Sequence, residues 1–261
     1  MTMAPSGTPM SEPVTLFVNA AQTLTAAGPA RARRGAEMRD AGVREGVGVA
    51  VQGMRVVAVD ADDSLRRAYP GAEEIDCDRG LLAPGFVDSH THTVFGAARF
   101  AEHELRATGV PYLEIARRGG GIHASVRDLR SRSDDELFAL ALPRLARLAA
   151  GGVTTVEIKS GYGLSTHDEL RTLRVIRRLA AHSALRIEAT CLAAHEVPLE
   201  FRERENGRDA WIDEIITQIF PAVASEHLAR FADVFCEPGV FGLDETRRLM
   251  SAAAAAGLRS K

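Results

Sequence analysis

Residues 81–99 read LLAPGFVDSHTHTVFGAAR. A Pro84-Gly85 turn interrupts an apolar run, and His90 and His92 stand either side of Thr91 where that run ends. In a strand, residues i and i+2 face the same side, so both imidazoles can address one ion, with Asp88 on the same face. An isolated His-x-His is also an ordinary polar strand end. The rest of the chain decides between the two readings.

From Leu82 onward the pattern repeats as strand, loop and helix. The strand segments LLAPGFVDSH, VTTVEIKS, LRIEATCLAAH and ADVFCEP alternate with the helical patterns DDELFALALPRLARLAA, HDELRTLRVIRRLAAHS, DAWIDEIITQIFPAVASEH and DETRRLMSAAAAAG. A long connection, GVPYLEIARRGGGI, precedes the first of these helices. Ser133 with Glu136 predicts a capping box there, and Thr166 with Glu169 predicts a second one at the next helix. Near-continuous apolar strands alternating with amphipathic helices predict a parallel sheet covered by helices. No G-x-G-x-x-G turn follows the first strand, which argues against a dinucleotide-binding sheet. The expected fold is α/β, a (β/α)8 TIM-type barrel, whose active site lies at the C-terminal strand ends. His90 and His92, the segment KSGYG, His195 and the segment CEPG all fall at such ends. In that setting His90 and His92 read as metal ligands, and a catalytic ion needs about three protein ligands in all.

Residues 82–261 hold four strand–helix units, whereas a barrel needs eight in about 250 residues. The final AGLRSK reads as the opening of a fifth strand. The expectation is the first half of a barrel, belonging to a longer protein. Ahead of it, in residues 14–81, VTLFVNA, VGVAVQG and MRVVAVD read as short strands around the breaker-rich AAGPARARRGAEMRDAG, part of a small β-sandwich domain. Residues 1–13 have neither a basic start nor an apolar core, so they read as a mobile tail and not as a signal peptide.

Composition narrows the function classes. A hydrophobic content of 46% and a charged content of 26% are those of a soluble globular protein. A net charge of −3 and a pI near 6.3 predict no nucleic-acid partner and no acidic membrane surface. Cys77, Cys191 and Cys236 are odd in number and far apart, so no disulfide framework and a cytoplasmic location are expected.

The segment PGFVDSHTH resembles the first-strand signature of the amidohydrolase superfamily, metal-dependent hydrolases built on this barrel. HTHTVFGAAR, EIARRGGGI, GVTTVEIKSGYGL, AAHEVP and DVFCE together are similar to one family within it, imidazolonepropionase. The resemblance runs from about Val14 to the last residue. It implies hydrolysis of 4-imidazolone-5-propanoate to N-formimidoyl-L-glutamate in histidine degradation, by a water activated on one divalent ion, zinc or iron. His90 and His92 match the family's first-strand metal ligands. Arg99 matches a substrate-contacting arginine, and a guanidinium fork suits a propionate carboxylate. Tyr162 and His195 match residues that contact the substrate. The remaining metal ligands and the acid–base groups of the family belong to later strands.

Other features read more plainly. Gly119, Gly120 and Gly121 suit an anion nest, a lid hinge or a flexible loop. Lys159 invites a carbamylated lysine bridging two metals, but in the relatives that use one it belongs to the fourth strand, so a single metal is expected. Two rivals stay open: a related deaminase or cyclic amidohydrolase (cytosine or guanine deaminase, dihydroorotase), and a non-catalytic fragment. For the chain by itself, open strand edges predict poor folding and no activity. A homodimer that pairs two half-barrels is the assembly such edges would favour.

Overall fold

The computed structural model describes residues 12–111, 114–115 and 119–261. Most of the expected tail, and the YL and ARR of the long connection, lie outside the described residues. The chain divides into two compact units between Pro84 and Gly85.

In the first unit, strands β1 (Val14–Val18), β4 (Gly48–Gln52), β5 (Arg55–Asp60) and β6 (Glu73–Asp76) form a sheet in the order β5-β4-β1-β6. The short strands β2 (Gln22–Leu24), β3 (Val43–Arg44) and β7 (Leu81–Leu82) form a second sheet in the order β3-β2-β7. A helix, Asp62–Ala68, drops Leu65 onto Leu16, Val18 and Ala50 to make a small core. The apolar run 81–90 is therefore two strands and not one. Pro84 has no N–H to give a ladder, so Leu81–Leu82 pairs with β2 and a new strand begins at Phe86, whose N–H meets the Gly152 carbonyl at 2.9 Å.

Among its described residues the second unit has five strands: β8 (Phe86–Thr91), β9 (Val153–Lys159), β10 (Arg186–Ala194), β11 (Phe231–Val234) and β12 (Arg259–Ser260). They lie in sequential order, and every neighbouring pair is parallel. A doubly wound sheet reverses its order at a switch point; this one never reverses. Right-handed crossovers in a monotonic order place every helix on one face, which is the geometry of a barrel wall. The expected fifth strand begins at Arg259, paired with Phe231.

The helices form because their apolar residues recur at helical spacing. Leu137, Ala141 and Leu145 of helix Asp134–Ala150, and Leu170, Leu173, Ile176 and Leu179 of helix Thr166–Ala180, meet Val156 and Ile158 in one continuous core. The Ser133–Glu136 capping box forms in both directions, at 3.2 and 2.7 Å. The helix expected over DAWIDEIITQIFPAVASEH is divided into Gly207–Glu214, a π-helical turn Ile215–Ile219 and Phe220–Ser225. Pro221 cannot donate to the preceding turn, and a wider π turn accommodates that missing bond. Among the described residues, no helix is long and apolar enough to cross a membrane.

Candidate active site

The C-terminal ends of successive strands bring a group of rings together. β8 supplies His90 and His92, whose ring centroids are 5.7 Å apart. The turn after β9 supplies Tyr162, with its ring 4.8 Å from that of His92. The residue after β10 is His195, stacked on His92 at 4.9 Å and 15°. Phe235, after β11, closes the group edge-on against His195 at 5.8 Å. Residues up to 145 positions apart in sequence thus share one surface, as the strand-end rule requires.

Hydrogen bonds fix the roles of the imidazoles. His195 Nδ1 lies 2.9 Å from the Gly161 carbonyl. A carbonyl only accepts, so Nδ1 carries the proton and Nε2 is left with its lone pair. Burial pushes the pKa of His195 down, against the raising effect of that bond. Burial also pushes His92 down to about 3, helped by His195 and His90. Both rings are neutral imidazoles near pH 7, the form that binds a metal ion. His92 Nδ1 is buried with no hydrogen-bond partner, an unpartnered ring nitrogen within the group. His90 and His92, the pair expected to hold the ion, are imidazole nitrogen ligands of the type zinc and iron accept. No set of three candidate ligands occurs among the described residues.

No family model matches the chain. The imidazolonepropionase of Symbiobacterium thermophilum is 46% identical over 250 residues, covering 94% of this chain and 58% of that protein. That of Myxococcus xanthus is 44% identical over 245 residues, covering 93% and 57%. Over more than nine-tenths of its length the chain is similar to imidazolonepropionases. It spans a little over half the length of those curated relatives. Among solved structures, a triazine hydrolase from Arthobacter aurescens superposes with a TM-score of 0.60 at 16% identity, over 95% of this chain and 52% of that one. A 5-methylcytosine deaminase from Klebsiella pneumoniae gives 0.52 at 16% identity, over 94% and 50%. At such identities the likeness is one of fold alone, an α/β architecture.

Set against what the imidazolonepropionase resemblance implies, four of the five expected site residues, His90, His92, Tyr162 and His195, meet in the ring group. The fifth is Arg99. It precedes helix Phe100–Ala107 and pairs with Glu102 at 3.3 Å. Glu102 also accepts the Gly121 N–H at 3.1 Å, so part of the triple-glycine backbone is engaged by the protein's own carboxylate.

Sequence reasoning missed the polar group beneath the rings. Lys159 is 2% exposed and contacts Glu157 Oε1 at 3.0 Å and Asp233 Oδ2 at 2.7 Å. Thr190 donates to Glu157, and Lys261 Nζ lies 3.2 Å from the same carboxylate. A carbamate on Lys159 would set negative charge against two carboxylates, whereas an ammonium satisfies both. The signal was available: in VTTVEIK, Glu157 and Lys159 alternate with Val156 and Ile158, which marks two polar residues on the barrel side of a buried strand.

Proposed function

We propose that the whole protein hydrolyses the ring amide of 4-imidazolone-5-propanoate to N-formimidoyl-L-glutamate, a step of histidine degradation, in the cytoplasm. The observation that carries this reading is identity of 44–46% to imidazolonepropionases across more than nine-tenths of the chain. His90 and His92 are the residues of this chain that would hold a divalent ion, zinc or iron. When bound, such an ion supplies a water acidified toward a pKa of about 7.

The chain's own residues do the rest by position. His92, stacked on His195 and tilted against Tyr162 in a triangle of mutually contacting rings, presents a neutral imidazole whose orientation the two neighbouring rings limit. The bare Nε2 of His195 accepts a hydrogen bond from a ring N–H of the substrate. Tyr162 offers a flat face and a hydroxyl to the same ring. Arg99 takes the propionate with its guanidinium fork. Holding the ring in one pose contributes to rate by making attack effectively unimolecular.

The full-length protein, loaded with zinc or iron, should consume imidazolone propionate, followed as loss of the substrate's ultraviolet absorbance. Preferred turnover of cytosine, guanine or dihydroorotate instead would sink the reading.

A further inference from the structure

Thr166 and Glu169 do not form the capping box that their spacing predicts. The N-cap is Ser165, whose hydroxyl accepts the Asp168 N–H at 3.0 Å. Glu169 is released from the helix start and turns inward, fully buried. Its Oε2 accepts the Gly161 N–H at 2.9 Å, and its Oε1 accepts those of Gly163 and Leu164, each at 2.8 Å. Ser160 adds a hydroxyl, while its own Oγ accepts the Leu192 N–H of β10 at 3.0 Å. Burial raises the pKa of the carboxyl, and all these donors favour its ionised form.

The segment that Glu169 gathers, Ser160–Leu164, carries Tyr162 between two of the bonded amides and presents the Gly161 carbonyl to His195. The backbone is built for this. Gly161 has φ +106°, and a Cβ there would lie 2.8 Å from His195 Nδ1. A Cβ on Gly163 would lie 2.5 Å from the Glu169 nitrogen. Leu164 holds φ +47°, unusual for a branched side chain, and that conformation aims its N–H at the carboxylate. On the outside, Arg130 donates to the Gly163 and Leu164 carbonyls at 2.8 and 2.6 Å. We propose that Glu169 is a positioning residue for the reaction: through the amides of Gly161, Gly163 and Leu164 it sets Tyr162, and through the Gly161 carbonyl it sets His195, against His92. The kinetic part of this inference rests on the proposed hydrolase function; the loop geometry does not.

The test uses the full-length, metal-loaded protein. Glu169→Gln replaces one acceptor oxygen by an amide N–H2 that faces a loop N–H. It should lower kcat/KM for imidazolone propionate by about 100-fold, the scale of an ångström-sized misplacement, with metal content unchanged. In a Tyr162→Ala background the same substitution should cost clearly less than in the wild type, because only the share acting through His195 remains. Equal costs in both backgrounds overturn the proposal. If Glu169→Gln does not fold, Glu169→Asp, which keeps the charge and shortens the reach, replaces it in the same cycle. Hydrogen exchange gives a readout independent of activity. The amides of Gly161, Gly163 and Leu164 in the wild-type protein should exchange as slowly as those of β9 and β10; exchange at loop rates overturns the proposal. A wild-type protein inert toward imidazolone propionate would remove the function, and exchange would then decide the role of Glu169 in setting the loop.

Discussion

Arg99 shows how much a single side chain's partner decides. The structure gives its guanidinium to Glu102 at 3.3 Å, with the arginine side chain 36% exposed. An exposed pair of this kind contributes little stability, so the fork is available to a stronger, bidentate carboxylate. If Arg99 clamps the propionate, Arg99→Lys in the full-length enzyme should raise KM at least about tenfold while leaving metal content and thermal midpoint unchanged, since a point charge cannot reproduce two parallel N–H bonds. Unaltered kinetics would return Arg99 to a surface role. His195 makes the same point from inside: one carbonyl, Gly161, chooses its tautomer and so chooses which nitrogen faces the site.

Among elements, the exit from β8 is the segment that most needs holding, because it follows directly on the paired histidines. Arg144 of helix Asp134–Ala150 donates to the carbonyls of Thr93, Phe95 and Gly96 at 3.0, 2.6 and 2.7 Å, and lies over the Phe95 ring at 3.5 Å. Asp128 of helix Ile122–Ser131 takes the Ala97 N–H at 2.6 Å. Its pairing with Arg132, and then that N–H, hold the Asp128 carboxyl below the usual aspartate range. A carboxyl depressed in the folded state binds more protons when unfolded, so stability rises with pH across the gap. The Asp128 contribution is therefore complete above the ordinary aspartate pKa of about 3.9 and is lost as pH falls through the lower folded value. Denaturation midpoints measured from pH 6 downward should decline in that acid window. Asp128→Asn should lower the midpoint at pH 6 and flatten the decline; an unchanged acid limb in this variant would assign the decline to other carboxylates.

At the scale of the whole second unit, the polar group beneath the rings ties four strands together. Glu157 and Lys159 come from β9, Thr190 from β10, Asp233 from β11, and Lys261 follows β12. One edge of the sheet is the β8 strand, where Phe86 and Val87 are 68% and 66% exposed. Removing one partner from a buried ion cluster leaves a charge without compensation. Lys159→Met should therefore cost the full-length protein about 3–5 kcal/mol, read by chemical denaturation. Adding Glu157→Gln to that variant should recover part of the loss, because it removes the stranded charge. A Lys159→Met protein as stable as wild type would show that Lys261 alone neutralises both carboxylates.

What the sequence by itself determined is what local periodicity encodes. Alternation of apolar strands with amphipathic helices identified the parallel sheet, the approximate places of its five strands and the helical segments between them. The rule that barrel sites gather at C-terminal strand ends placed His90, His92, Tyr162 and His195 on one surface before any contact was visible. Tertiary structure alone decided the rest. It split residues 81–90 between two sheets, because the partner of Leu81 is Gln22 and the partner of Phe86 is Val153. It moved the cap of helix Thr166–Ala180 from Thr166 to Ser165, because Glu169 has better donors in the loop before it than at the helix start. It paired Lys159 with an aspartate 74 residues away. Hydrophobic periodicity records which face of an element is buried, but a buried charge is satisfied only by the group that folding brings opposite to it.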